Sequence, residues 1–406
     1  MSGNILMLIL DGIGDRSVKE LNKKTPLEAA NTPNLDQLAK KGENGIMDTI
    51  APGIRPGSDT GHLALLGYDP YEVYRGRGPF EAAGIGMDLT PDDVAFRCNF
   101  ATFENGKVVD RRAGRIKNDT DELAKAIDDM DLEIEFEFRK AVEHRGVLIL
   151  REEGLEGQVT DVDPHESNVM YHKSKPLRNT EGNKRTASLL NEFTKKSIKI
   201  LDDHPVNQAR KEQGKSPANI ILPRGGGKVP NIDDIETKHG LKSAAISGIP
   251  LVKGVCSLAG LNTLEVEGAT GGLDTDLDEI IKASLEALDS YDFLLVNIKG
   301  PDLLGHDGLT QQKIDFIEKI DKSLKPLNEL DDTYIAITGD HSTPVTIKDH
   351  SGDPLPLTIC GSDVRTDHIE EFNERACSRG GLNRIKGTEL LSILKDLADL
   401  TEKFGA

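Results

Sequence analysis

Apolar and polar positions along the chain fall into two kinds of pattern. Ile5-Leu6-Met7-Leu8-Ile9-Leu10 is a short, continuously apolar run, as expected of a strand buried on both faces of a parallel sheet. Phe293-Leu294-Leu295-Val296-Asn297-Ile298 and Thr333-Tyr334-Ile335-Ala336-Ile337-Thr338 read the same way. Helical spacing predicts helices over Asn34–Lys41, Asp276–Leu288, Gln311–Leu330 and Thr388–Phe404. Strands alternating with helices imply a layered α/β domain. The middle of the chain differs. Leu132-Glu133-Ile134-Glu135-Phe136-Glu137-Phe138 alternates strictly, Gly146–Arg151 is a further strand, and Leu189, Leu190, Phe193, Ile198 and Leu201 mark one face of a helix. These predict a smaller α+β insert at residues 90–217, with an open antiparallel sheet face. The first domain is then discontinuous, 1–89 and 218–406, resuming at the strand Asn219–Leu222.

The 406 residues are enough for about two or three domains. Fifty basic and 69 acidic side chains leave a net charge of −19, which argues against nucleic-acid and anionic-membrane partners. No apolar run reaches the roughly 18–20 residues of a membrane helix. Met1-Ser2-Gly3-Asn4 has no basic character, and Ile5–Leu10 is too short for a signal peptide. Cys98, Cys256, Cys360 and Cys377 form no CxxC pair, so disulfides and a zinc ribbon are not expected and a cytoplasmic location is.

Each of the three apolar strands leads into an acid: Asp11, Asp302 and Asp340. Sites in open α/β sheets form beyond the carboxyl ends of the strands. An isolated Asp after a strand is commonly a turn residue or a helix cap. Three gathered at one edge would repel unless a cation lies among them. His306, His341 and His350 accompany two of them, and such a set suits one or two divalent ions such as Mn²⁺, Zn²⁺ or Co²⁺, or Mg²⁺. Ser58, in Pro56-Gly57-Ser58-Asp59, precedes the helical run Leu63–Leu66. It is either a plain N-cap or a nucleophile whose alkoxide a helix N-terminus and a metal would stabilise. Arg224-Gly225-Gly226-Gly227-Lys228 lacks P-loop spacing. Gly76-Arg77-Gly78 and Gly84-Ile85-Gly86 follow no strand, so no nucleotide site is expected.

Asp11-Gly12, Thr25–Ala30, Thr32–Asp36, Pro56–Asp59, Lys299–Asp302 and Thr338–Pro344, taken together and in this order, resemble the cofactor-independent phosphoglycerate mutases, closest to their archaeal branch, within the alkaline phosphatase superfamily. The resemblance covers essentially the whole chain. It implies an alkaline-phosphatase-like α/β/α metal domain with two metal ions bridged by the substrate phosphate. Asp11, Ser58, Asp340 and His341 match the ligands of one, and Asp302, His306 and His350 those of the other. Mn²⁺ is the ion these mutases favour. Ser58 matches the phosphorylated nucleophile, and no bisphosphoglycerate is required. The substrate implied is phosphoglycerate, interconverted between its 3- and 2-isomers in glycolysis and gluconeogenesis, with closure of the insert excluding water. Arginines of the insert would grip the carboxylate and hydroxyls. Arg97, Arg111, Arg112, Arg115, His165 and Arg224 are the candidates, with Lys299 as a further anion contact. Any one of these arginines could instead be a solvated surface charge. Another phosphomutase (of pentose phosphates, for example), a phosphomonoesterase, or a non-catalytic phosphometabolite or metal sensor would use the same metal core. No oligomeric state is set by the sequence.

Overall fold

The computed structural model describes residues 3–405; Met1 and Ser2, read above for a basic leader, lie outside them. Two compact units emerge, Met1–Tyr74 with Ile232–Ala406, and Arg75–Asn231. In chain order the strands are β1 (Asn4–Leu10), β2 (Gly42–Asp48), β3 (Val94–Glu104), β4 (Lys107–Asp110), β5 (Glu135–Lys140), β6 (Arg145–Arg151), β7 (Ile220–Lys228), β8 (Ser243–Ser247), β9 (Asn262–Leu264), β10 (Phe293–Ile298), β11 (Thr333–Thr338), β12 (Leu355–Cys360) and β13 (Asn383–Lys386).

The first unit is built on one sheet in the order β13-β2-β12-β11-β1-β10-β8-β9. Neighbouring residues of a strand point to opposite faces. Every residue from Ile5 to Leu10 is buried, so both faces of the sheet are covered. One row of helices is Pro33–Lys40, Thr310–Ser323 and Leu277–Leu288; a second is Gly387–Leu397, Ser58–Leu65 and Pro250–Leu258. The centre is parallel, as the apolar runs predict, but β12 pairs antiparallel with both β11 and β2. The α/β class and the layered arrangement hold.

Register positions the site. Leu10 pairs with Ile298, and Ile9 with Thr338. One step past the first pair Asp11 stands level with Lys299, and two steps past the second it stands level with Asp340, so the carboxyl ends of three central strands converge. The helices begin close to where periodicity places them; the one expected over 276–288 also ends at Leu288, while the others stop earlier. The run expected over 311–330 ends at Ser323, because Pro326 cannot continue the ladder and a 3₁₀ turn, Lys325–Glu329, follows. The last helix ends at Leu397 instead of Phe404, and Asp399 just beyond has a left-handed φ of 58°.

The second unit holds an antiparallel sheet, β4-β3-β6-β5, with β7 on the other side of β3. Its main core gathers Phe96, Phe100, Phe138 and Phe193, the last from the helix Glu181–Asp202. The unit is wider at both ends than residues 90–217. Helix Gly78–Ala83 packs on β3, where a Cβ on Gly78 would come within 1.9 Å of the Ala95 carbonyl oxygen, so only glycine allows the approach. Ala82 and Met87 then cluster with Ala95, Val147 and Ile149, covering part of the sheet face expected to be open. At the other end, β7 pairs with β3 and does not return to the first sheet. Its apolar run reads as buried, but an apolar run does not name its sheet.

Candidate active site

Asp11 lies directly after β1, Asp302 in the first turn of the helix Gly300–Asp307 after β10, and Asp340 two residues after β11. All three side chains are buried. Gly12 makes this possible. Its φ of +69° turns the chain sharply, and a Cβ there would sit 2.6 Å from the Asp302 Cα.

Lys299 Nζ donates to Asp11 Oδ1 and pairs with Asp302 Oδ2, both at 2.8 Å, and lies 3.3 Å from Ser58 Oγ. Ser58 opens the helix Ser58–Leu65 after Gly57, the N-cap. Its hydroxyl faces Lys299 and His341 Nε2, the latter at 3.2 Å, so it is not spent as a helix cap. His341 Nε2 lies 3.5 Å from Asp11 Oδ1 and 3.3 Å from Asp340 Oδ2. Asp302 Oδ1 lies 3.4 Å from His306 Nε2 and 3.5 Å from His350 Nε2. Every metal-ligand candidate of the sequence therefore joins one cluster, with Lys299 among them.

The hydrogen bonds behind the cluster set which atoms face it. Thr343 Oγ1 donates its single proton to Asp302 Oδ1 at 2.7 Å, so at 3.0 Å it accepts from His341 Nδ1. That leaves the Nε2 lone pair turned toward Asp11, Asp340 and Ser58. His350 Nδ1 donates to the Pro56 carbonyl at 2.7 Å, and His306 Nδ1 to that of Lys348 at 3.1 Å, which frees both Nε2 atoms in the same way. Asn297 Nδ2 donates to Asp11 Oδ2 at 3.0 Å and lies 3.3 Å from His62 Nε2, while His62 Nδ1 donates to the Ser58 carbonyl at 2.7 Å. Sequence reasoning missed Asn297, His62 and Thr343. Only the apolar company of Asn297, a polar residue in a fully buried strand, could have marked it.

Electrostatics follow the burial. Burial and the neighbouring Asp340 push Asp11 above the usual carboxylate range. Burial would also raise Asp302, but the Lys299 ammonium beside it holds it far below. Burial keeps His341 neutral, well under its ordinary value. Asp340 Oδ1 accepts from the Gly12 and His341 amides, whereas Oδ2 is buried with no hydrogen-bond partner among the described residues. A buried carboxylate oxygen without a donor is costly unless a cation meets it. The ligand atoms of Asp11, Asp340 and His341 lie within 4.8 Å of one another, as do those of Asp302, His341 and His350. The set of hard oxygens and imidazole nitrogens fits divalent cations.

A second group forms inside the other unit, on the part of its sheet that helix Gly78–Ala83 leaves uncovered. Residues 95, 97 and 99 of β3 share a face by the two-residue period, so Arg97 and Asn99 follow Ala95. Register sets Arg224 of β7 opposite Arg97, and Arg145 of β6 opposite Asn99. These line a polar cavity of about 250 Å³ together with Arg111, Arg112, Arg115, Glu143 and His144. Burial, only partly offset by Glu81, lowers Arg97 to about 9, so it stays charged at neutral pH. Burial and Arg145 lower His144 to about 4, leaving it neutral. Arg111 is held by a fork to the buried Asp163, with bonds of 2.7 and 2.6 Å. His165 is not among the lining residues. It is half exposed on a turn and pairs with Asp161 at 2.9 Å, its amide donating to Asp163. Arg145, His144 and Asn99 were missed, because strand parity shows only once register is known.

The four cysteines are unpaired and buried, and no helix of the described residues is long and apolar enough to cross a membrane. A profile of the family described as 2,3-bisphosphoglycerate-independent phosphoglycerate mutase matches residues 39–207. A protein of that name from Methanosphaera stadtmanae is 51% identical over 407 residues, 99% of each chain. Another from Methanocaldococcus jannaschii is 50% identical, covering 100% of this chain and 99% of its own. Among solved structures, a Pyrococcus horikoshii protein superposes over the whole of both chains with a TM-score of 0.89 at 40% identity. A cofactor-independent phosphoglycerate mutase from Thermoplasma acidophilum gives 0.74 at 38%, covering 98% of this chain and 100% of that one. The chain belongs to the 2,3-bisphosphoglycerate-independent phosphoglycerate mutase family.

Proposed function

We propose that this chain is a metal-dependent isomerase that interconverts 3-phosphoglycerate and 2-phosphoglycerate through a phosphoserine at Ser58, without bisphosphoglycerate. The observation that carries the proposal is the placement of Ser58 Oγ, at the start of a helix, 3.2 Å from His341 Nε2 and 3.3 Å from Lys299 Nζ, in a member of this family. Asp11, Ser58, Asp340 and His341 would hold one divalent ion, and Asp302, His306 and His350 another, with Mn²⁺ preferred over Mg²⁺, Co²⁺ or Zn²⁺. Bound there, such ions lower the pKa of the serine hydroxyl and stabilise charge on the attacking and leaving oxygens.

The chain's own residues do the rest. The helix N-terminus and the Lys299 ammonium favour negative charge on Ser58 Oγ. Ser58 Oγ gives up its proton and attacks phosphorus in line, the P–Oγ bond forms, and the bond to O3 breaks, O3 taking up that proton. The glycerate stays bound and turns. Its O2 then attacks the same phosphorus, loses its proton, and releases Ser58. Two in-line displacements give net retention at phosphorus. Between them the glycerate carboxylate needs cations, and Arg97, Arg111, Arg112, Arg115, Arg145 and Arg224 supply guanidinium forks suited to it. Neutral His144 offers a ring nitrogen to a hydroxyl. A cytoplasmic setting agrees with four unpaired cysteines.

The test is product analysis by phosphorus NMR. Metal-stripped protein reloaded with Mn²⁺ is given 3-phosphoglycerate and no bisphosphoglycerate. The expected product is 2-phosphoglycerate. Inorganic phosphate as the main product would replace the mutase with a phosphomonoesterase.

A further inference from the structure

Behind the carboxylate cluster lies a lysine that the mechanism does not use. Lys313 belongs to the helix Thr310–Ser323, and its side chain is fully buried. Its Nζ donates to the Gly12 carbonyl, the Thr343 carbonyl and Asp15 Oδ2, each at 2.9 Å, so all three ammonium protons are used. Gly12 follows Asp11, and Thr343 lies two residues past His341. Asp15 in turn accepts from the Val345 amide at 3.2 Å and from the Arg16 amide at 2.8 Å. One backbone bond, from the Thr343 amide to the Gly14 carbonyl at 3.0 Å, spans the same gap.

We propose that Lys313 is a positioning residue, which sets the spacing of Asp11 and His341 by tying the loop after β1 to the loop after β11. The inference rests on the reading of Asp11, Asp340 and His341 as metal ligands. A buried ion pair is a poor device for stability alone, because well-packed apolar residues of similar volume often serve as well or better. Its distinctive property is directional. Three bonds of fixed length hold two backbone carbonyls and one carboxylate around a single nitrogen, which an apolar side chain cannot do. Thr343 also carries the hydroxyl that fixes the His341 ring, so a shift of its carbonyl would turn that ring as well as move it.

Lys313→Met by itself strands the buried Asp15 carboxylate and is expected to unfold readily. The informative protein is the double variant Asp15→Asn with Lys313→Met, which removes the charge pair together. Metal-stripped, full-length wild type and double variant are titrated with Mn²⁺ and followed by electron paramagnetic resonance, with thermal unfolding run on each. The double variant is expected to unfold cooperatively near the wild-type temperature, to bind Mn²⁺ ten- to a hundredfold more weakly, and to lose kcat with KM little changed. A double variant that binds Mn²⁺ as tightly as wild type would reduce Lys313 to a structural role and overturn the proposal. Failure of the wild type itself to bind Mn²⁺ would instead remove the ligand reading beneath it.

Discussion

Replacing Asp340 with Asn should make the metal-free protein more stable and the metal-loaded protein inactive. Asp11 and Asp340 are both fully buried, and their ligand oxygens lie within 4.8 Å of each other. Two like charges at that distance repel by about 3.5 kcal/mol at an effective dielectric of about 20. Asp11 relieves part of this by holding a proton to higher pH, in the direction its burial and Asp340 impose. About 1–3 kcal/mol is then left to recover at pH 8. Asn keeps the oxygen that accepts from the Gly12 and His341 amides. Its NH₂ takes the place of Oδ2, 3.3 Å from the His341 Nε2 lone pair, and can donate to it. The same change removes an anionic ligand. A cation at a hundred times its Kd stabilises the folded state by about 2.7 kcal/mol, and most of that increment should vanish. The assay is urea unfolding at pH 8 of both proteins, with chelator and with Mn²⁺. A metal-free variant less stable than metal-free wild type, or one to which Mn²⁺ adds as much stability as to wild type, would refute the reasoning.

Ser58→Ala should abolish turnover while Mn²⁺ binding by the Asp302, His306 and His350 group persists, as read by metal titration. Arg97→Met or Arg145→Met should lower kcat/KM for 3-phosphoglycerate by about 10- to 100-fold, the worth of one lost hydrogen bond to a charged group, with the loss in KM if these side chains grip substrate throughout. Glu374 is partly buried and raised to about 7, mainly by desolvation, against hydrogen bonds from Thr25 and the Asp15 amide. A raised carboxylate favours the folded state below its ordinary value of 4.5 and loses that contribution as pH climbs through about 7. Glu374→Gln should therefore gain stability over wild type by up to about 3 kcal/mol at pH 8 and by little at pH 5, a difference that urea unfolding at the two pH values measures.

The centre of the fold is legible in the chain because three strands are nearly continuous apolar runs, and strands covered on both faces read that way. The acids at their ends are legible for the same reason: Asp11, Asp302 and Asp340 stand where unbroken hydrophobicity stops. The edge strands are not. Gly42–Asp48 has neither alternation nor an apolar run, yet it pairs with β12 and β13. The second compact unit spans Arg75–Asn231 where the pattern marks 90–217, since nothing local in Ile220–Leu222 tells that β7 joins β3.

The site divides in the same way. The candidate ligands reached from strand ends or by family spacing lie together in one cluster, down to His350. Residues that act through tertiary contacts do not announce themselves. Lys313 reads as a solvent-facing position between Gln312 and Ile314, and its burial follows only from the loops folded over it. Arg145 opens a strand and looks like a surface charge until register sets it opposite Asn99. His165, a candidate through the family resemblance, turns out to serve the outside of the loop that anchors Arg111.

The central claim is that the phosphoryl group passes through Ser58. Mn²⁺-loaded protein turning over 3-phosphoglycerate would be quenched in acid on the millisecond scale and its phosphate mapped by mass spectrometry. Phosphate on Ser58, formed at least as fast as 2-phosphoglycerate and absent from Ser58→Ala, is the result predicted. Formation of 2-phosphoglycerate at full rate with no phosphate on Ser58 at any time would contradict it.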